Sequence, residues 1–154
     1  MPLTIHGTAD LFARANTELG SSDWQTMTFE RIVAFADATD DHQWIHVDRE
    51  RIAKESPFGA PIAHGYLTLS LVAGLFFEVL DLQDFGMVIN YGTNKVRFPA
   101  PMKEGARYRL ALSLGEVADK GKGWSEALFH ATMELEGSKK PGVSAELVFR
   151  FLAA

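Results

Sequence analysis

Two side chains that can carry protons stand five residues apart in the run Thr39-Asp-Asp-His-Gln-Trp-Ile-His-Val-Asp48: the carboxylate of Asp41 and the imidazole of His46. After one short stretch of helix formers comes Ala63-His-Gly-Tyr-Leu-Thr-Leu-Ser70, which puts Gly65 at the mouth of a very hydrophobic segment. A polar loop can fold so that Asp41 and His46 converge on one water molecule. The first turn of a helix offers N–H groups with no intrahelical partner to any oxygen that gains negative charge. An acid/base pair beside an anion hole suits the addition of water to an activated double bond, or its loss. Histidine, with an ordinary pKa of about 6.5, is suited to take the proton, and a neighbouring carboxylate can orient the water or pass the proton on. The spacing leaves both assignments of acid and base open, with His46 the better suited base.

Each of these residues also has a plainer reading. Aspartate commonly caps turns, and glycine often serves only to give the backbone room. The cluster Asp40, Asp41, His42, His46 and Asp48 offers oxygen and imidazole donors to a divalent cation, but nothing fixes its geometry and no metal is assigned. His64, beside Gly65, reads as a packing residue at the helix start or as a contact to substrate. His42 reads as solvent-facing, and His6 and His130 as surface residues.

The elements that must position these groups are legible in the hydrophobic pattern. From Tyr66 to Phe77 no charge occurs, and Glu78 and Asp81 close the stretch after roughly a dozen residues, short of the ~20 that a bilayer crossing needs. A buried helix is expected, apolar in most directions and covered nearly all round, with Ser70, Gly74 and Glu78 forming a row that admits a close neighbour. Apolar residues recur at helical spacing from Thr28 to Ala38 with Thr28 as N-cap, and Asp48 to Glu55 is a second helical stretch. After Gln83 the pattern alternates. Tyr108, Leu110, Leu112 and Leu114 oppose Arg107, Arg109 and Ser113; runs from Ala127 to Leu135 and from Val143 to Phe151 repeat the pattern. Turn-rich links at 119–123 and 137–142 fit antiparallel hairpins. An antiparallel sheet curling round an apolar helix is the natural solution, in the α+β class.

With 154 residues, 47% of them hydrophobic, the chain has the size of one domain spanning 1–154. Its net charge of −5 argues against a general binder of nucleic acid or anionic membrane. The absence of cysteine excludes disulfides, thiolate nucleophiles, iron–sulfur clusters and cysteine-ligated zinc. Met-Pro-Leu-Thr-Ile-His-Gly at the start has no basic stretch leading into an apolar one, so no secretory signal is read and a cytoplasmic location is expected.

Three motifs together carry a family resemblance: Phe35-Ala-Asp-Ala-Thr-Asp-Asp-His-Gln-Trp-Ile-His-Val-Asp48, Phe58-Gly-Ala-Pro-Ile-Ala-His-Gly65, and Asn90-Tyr-Gly-Thr-Asn-Lys-Val-Arg-Phe-Pro99. The chain resembles the MaoC-like dehydratases, also called R-specific enoyl-CoA hydratases, and within them the nodulation-protein-N-like branch. That resemblance implies a hot-dog fold, a long central helix wrapped by an antiparallel β-sheet. It implies Asp41 and His46 as the catalytic pair and the Gly65 N–H as holder of the thioester oxygen. It also implies an acyl-CoA or acyl-carrier thioester as substrate, a homodimer, and no metal or organic cofactor, coenzyme A being part of the substrate. Lys95 and Arg97, two apart on a strand, read either as a solvated basic pair or as a contact for the carrier's phosphates. Asn90 and Tyr91 are candidates for the pantetheine channel or a subunit contact. Many relatives carry Gly-Asp-x-Asn-Pro where Asp40-Asp41-His42-Gln43-Trp44 stands here, so Trp44 bears on the loop path and the size of the acyl pocket. Asp40, at a position often glycine, is a residue type that tolerates a left-handed backbone at modest cost. The competing readings are a hot-dog thioesterase, whose usual asparagine- and glutamate-centred sites are not evident, and a non-catalytic acyl-thioester binding module.

Overall fold

A computed structural model describes residues 1–154 throughout. In chain order the elements are β1 (Leu3–His6), α1 (Gly7–Ala13), β2 (Thr17–Ser21), β3 (Gln25–Thr26), α2 (Phe29–Thr39), α3 (Trp44–Val47), α4 (Arg49–Glu55), α5 (Gly65–Val79), β4 (Leu80–Gln83), β5 (Phe85–Arg97), β6 (Arg107–Gly121), β7 (Trp124–Leu135) and β8 (Val143–Ala153). The main sheet has the order β2-β6-β7-β8-β5, with β3 added beside β6, and every pairing in it is antiparallel. β1 and β4 form a separate parallel pair. The sheet curls round α5 as the pattern predicts, and this is the hot-dog architecture that the resemblance implies.

Local chemistry explains the boundaries. Thr28 caps α2 by accepting a hydrogen bond from the Arg31 N–H at 3.2 Å, and Asp48 caps α4 by accepting one from the Arg51 N–H at 3.0 Å. The β6–β7 hairpin closes through Lys122 and Gly123, at φ 55° and 80°, with Gly121 paired to Trp124. A two-residue loop with positive φ at both positions matches the twist of the strands that it joins.

The inward residues of β6, β7 and β8 alternate with outward ones as the sequence predicts, and they meet α5 in one continuous core. At its centre Phe76 of α5 stacks on Phe149 of β8, ring centroids 4.7 Å apart, and meets Phe129 from β7 in a T-shaped contact at 5.0 Å. The helix is not covered all round, contrary to expectation. Tyr66, Ser70, Ala73, Gly74, Phe77 and Glu78 lie along an exposed stripe, because the sheet of one chain reaches only the side that carries Leu67, Val72, Leu75, Phe76 and Val79. β5 ends the sheet with an open edge and shows Met87, Ile89 and Tyr91 to solvent. No helix is long and apolar enough to cross a membrane.

Because Phe76 is fully buried between two strands, Phe76→Ala should remove about 3–5 kcal/mol of stability, read as a lower denaturant midpoint at unchanged slope.

Candidate active site

α2 ends on Asp40, which takes the left-handed conformation at φ 58° and ψ 20°, and this reversal turns the chain so that Asp41 begins the loop to α3. The Asp41 side chain is half exposed, and its Oδ1 accepts a long 3.4 Å hydrogen bond from the Gln43 N–H. α3 is a single turn whose His46 is buried, 6% exposed. The segment before α5 is held as an extended strip: the Ala63 N–H donates to the Met102 carbonyl at 2.7 Å and the Glu104 N–H to the Pro61 carbonyl at 2.8 Å. This strip aims the Ile62 carbonyl at His46, whose Nδ1 lies 2.6 Å from it.

A carbonyl oxygen only accepts, so Nδ1 of His46 carries the proton. Neutral His46 therefore keeps its lone pair on Nε2, the atom that a general base needs. Burial pushes the His46 pKa below its ordinary 6.5; the Ile62 carbonyl resists, the nearby His64 ring adds to the lowering and Asp41 opposes it. Asp41, His46 and His64 offer donor atoms all within 4.8 Å of one another. Gly65 is the first residue of α5, so its N–H has no partner four residues back within the helix. His46 and Gly65 share an open cavity of about 320 Å³ with Phe58, Ile62, Thr68, Phe98 and Met102. A β-carbon on Gly65 would sit 3.1 Å from ring atoms of Phe98, so glycine lets that ring lie against the helix start. A larger cavity of about 740 Å³ lies at the far end of α5, lined by Leu3, Ser21, Asp23, Phe77 and Glu78 among others, and holds no imidazole.

Residues 11–130 match the MaoC like domain, which is most of the chain. The chain belongs to the MaoC-like dehydratase family. It is 49% identical to 3-hydroxyacyl-thioester dehydratase Z of Mycobacterium tuberculosis over 97% of this chain and 99% of that protein. It is 42% identical to Nodulation protein N of Rhizobium leguminosarum bv. viciae over 91% of this chain and 88% of that one. The fold matches the solved (R)-hydratase from A. caviae involved in PHA biosynthesis with a TM-score of 0.68 at 21% identity, covering 87% of this chain and 96% of that structure.

Within this MaoC-like chain the other candidates do not line the cavity of His46 and Gly65. His64 is buried but does not line the cavity; its Nε2 lies 2.9 Å from the Asp41 main-chain carbonyl. That nitrogen must be an N–H, so its lone pair is not free to ligate a cation, although a carboxylate with two imidazoles is a conceivable donor set. Asn90 lines a different cavity, with Ser70, Ala73, Phe76 and Phe149. Tyr91 is exposed under the Arg150 guanidinium, 3.8 Å from the ring centroid. Lys95 pairs with Glu146 at 3.1 Å, and Arg97 donates to the Val96 carbonyl. The register shifts between Asn94 and Arg97, with Lys95 at φ 49°, so simple alternation does not govern the facing of that basic pair. Trp44 stands outside the cavity, beneath Arg51 at 4.3 Å. His42 pairs at the surface with Asp37, and His6 with Asp84. The link that sequence reasoning missed is the one from His64 to Asp41, since a contact to a main-chain carbonyl leaves no trace in residue types.

The left-handed backbone at Asp40 fixes the direction in which Asp41 leaves α2. Asp40→Gly should keep thermal stability within a few degrees, whereas Asp40→Val should cost about 1–2 kcal/mol, both measured by thermal unfolding.

Proposed function

We propose that this protein is a reversible hydro-lyase that adds water to trans-2-enoyl thioesters to give R-3-hydroxyacyl thioesters. The observation that carries the reading is the His46 tautomer: Nδ1–H is spent on the Ile62 carbonyl, which leaves Nε2 as a base within reach of Asp41. The family membership and the 49% identical dehydratase relative support the hydro-lyase class, and the R sense rests on the family resemblance.

In the hydration direction the thioester carbonyl draws electrons from the double bond, so that C3 accepts a nucleophile. His46 Nε2 takes one proton from the water as its oxygen bonds to C3. Charge moves through C2 onto the carbonyl oxygen, where the Gly65 N–H and the positive end of α5 stabilise it. The enolate collapses as C2 gains a proton, handed on by the imidazolium directly or through Asp41, and the site returns to its starting state. Dehydration is the same path reversed. A metal or organic cofactor has no step to perform in this sequence, and coenzyme A or an acyl carrier enters only as the handle of the substrate.

The working unit is a homodimer in this reading. A 13-residue edge strand with exposed Met87, Ile89 and Tyr91, beside the open stripe of α5, suits a second copy of the same chain. Light scattering should give twice the 17.0 kDa chain mass, and Met87→Lys combined with Ile89→Glu should return it to the chain mass.

Purified protein should consume crotonyl-CoA with loss of the enoyl-thioester absorbance and no release of free thiol, and Asp41→Asn or His46→Gln should each lower kcat about 10²–10⁴-fold. Thiol release, or turnover unchanged in both variants, would remove the assignment. Since burial lowers the His46 pKa, kcat/KM should hold as pH falls through 6.5 and decline only as pH reaches the lowered His46 pKa. Stability should also drain as pH falls below 6.5, because the unfolded chain takes up the proton that folded His46 resists, and His46→Gln should flatten that slope.

A further inference from the structure

His64 touches neither the cavity nor an outside partner, yet it meets every component of the proposed site. Its ring is 2% exposed and stacks on His46 with centroids 3.8 Å apart and planes 21° from parallel. Phe35 of α2 packs against the same ring at 5.0 Å. Its Nε2–H reaches the Asp41 carbonyl at 2.9 Å, across a sequence separation of 23 residues. Its own backbone is the N-cap of α5, directly before Gly65. Its other nitrogen, Nδ1, is buried with no hydrogen-bond partner. A residue needed only to start a helix would not call for an imidazole here, because the side chain makes no capping hydrogen bond.

We propose that His64 is the positioning residue of this site, tying the Asp41 loop to the start of α5 and holding the His46 ring in the plane that its reaction requires. The inference rests on the hydratase reading for its kinetic consequence but not for its geometry. Without His64 the Asp41 main chain would lose its anchor, and the half-exposed carboxylate would keep only the long contact from the Gln43 N–H. The His46 ring would lose the flat wall on which it stacks. The ionisable groups acting on His46 are Asp41, from the loop before it, and His64, from the helix start. The remaining walls, Phe58, Ile62, Phe98 and Met102, carry no charge. Burial is the main cause that lowers the His46 pKa, and the His64 ring supplies part of that burial.

Two variants separate the hydrogen bond from the stack. His64→Gln keeps an N–H at about the reach of Nε2 and loses the ring; His64→Phe keeps a flat ring against His46 and loses the donor. With crotonyl-CoA, His64→Phe should lower kcat about 10²-fold with little change in KM, since displacing a catalytic group by about 1 Å has that effect, and His64→Gln should recover about ten-fold of the loss. In imidazole NMR titrations of ligand-free protein, the His46 midpoint should move up towards 6.5 in His64→Gln, which loses the ring that buries one face of His46, and stay low in His64→Phe, which keeps a ring there. The backbone amide signals of residues 40–43 should shift in His64→Phe and stay near the wild-type positions in His64→Gln. Wild-type kcat in a folded His64→Phe, a loss confined to KM, or an unmoved His46 midpoint in His64→Gln would overturn the proposal. If wild-type protein hydrates no enoyl thioester, the hydratase reading falls alone, and the His46 midpoint and the loop amides still decide the role of His64. If His64→Phe does not fold, the His46 midpoint in His64→Gln decides it.

Discussion

A helix with no charged residue from Gly65 to Phe77 cannot stand in water, and the molecule is organised by that constraint. Three long antiparallel strands supply the covering surface, and the stacked pair Phe76 and Phe149 locks helix to sheet at the middle of the contact. Once α5 is fixed there, its first turn is fixed too. The same burial that stabilises the fold places an N–H group free of intrahelical bonding at the rim of the core, where a polar loop can approach it.

The loop is built to make that approach with little freedom. A left-handed Asp40 ends α2, a single turn of α3 carries His46 inward, and the strip from Pro61 to Ala63 is pinned to residues 102–104. Each main-chain group does two things. The Ile62 carbonyl belongs to the strip and selects the His46 tautomer; the Asp41 carbonyl belongs to the loop and receives His64. His46 thus has one ring nitrogen bonded to the backbone while its ring lines the open cavity, the arrangement that a general base needs.

Much of this is legible in the residues themselves, for physical reasons. The strands from Arg107 onward have one wet and one dry face, so burial wrote a period of two into the sequence. Thr28 and Asp48 declared two helix starts because a capping oxygen has few alternatives. The motifs pointed to Asp41, His46 and Gly65 as one site, and the fold brings them to one region. What stayed hidden has its own causes. β1 and β3 are too short to show a period and depend on β4 and β6 for partners. The open stripe on α5 is hydrophobic enough to look buried, since composition does not say which chain covers a surface. Trp44 looked like a plug for the pocket because size is legible in sequence and direction is not; its ring turned to Arg51 instead.

The sheet order carries a consequence for synthesis on the ribosome. β5 pairs only with β8, and Phe149, the flat partner of Phe76, also belongs to β8, the last strand to be made. The meander of β6 to β8 closes through short local turns, a small entropic demand, whereas β5 must wait for a strand roughly fifty residues downstream. Asp41, His46 and Gly65 thus leave the exit tunnel early, but the scaffold that seats them is complete only when β8 emerges. Truncated nascent chains consequently carry the candidate side chains without the scaffold that seats them.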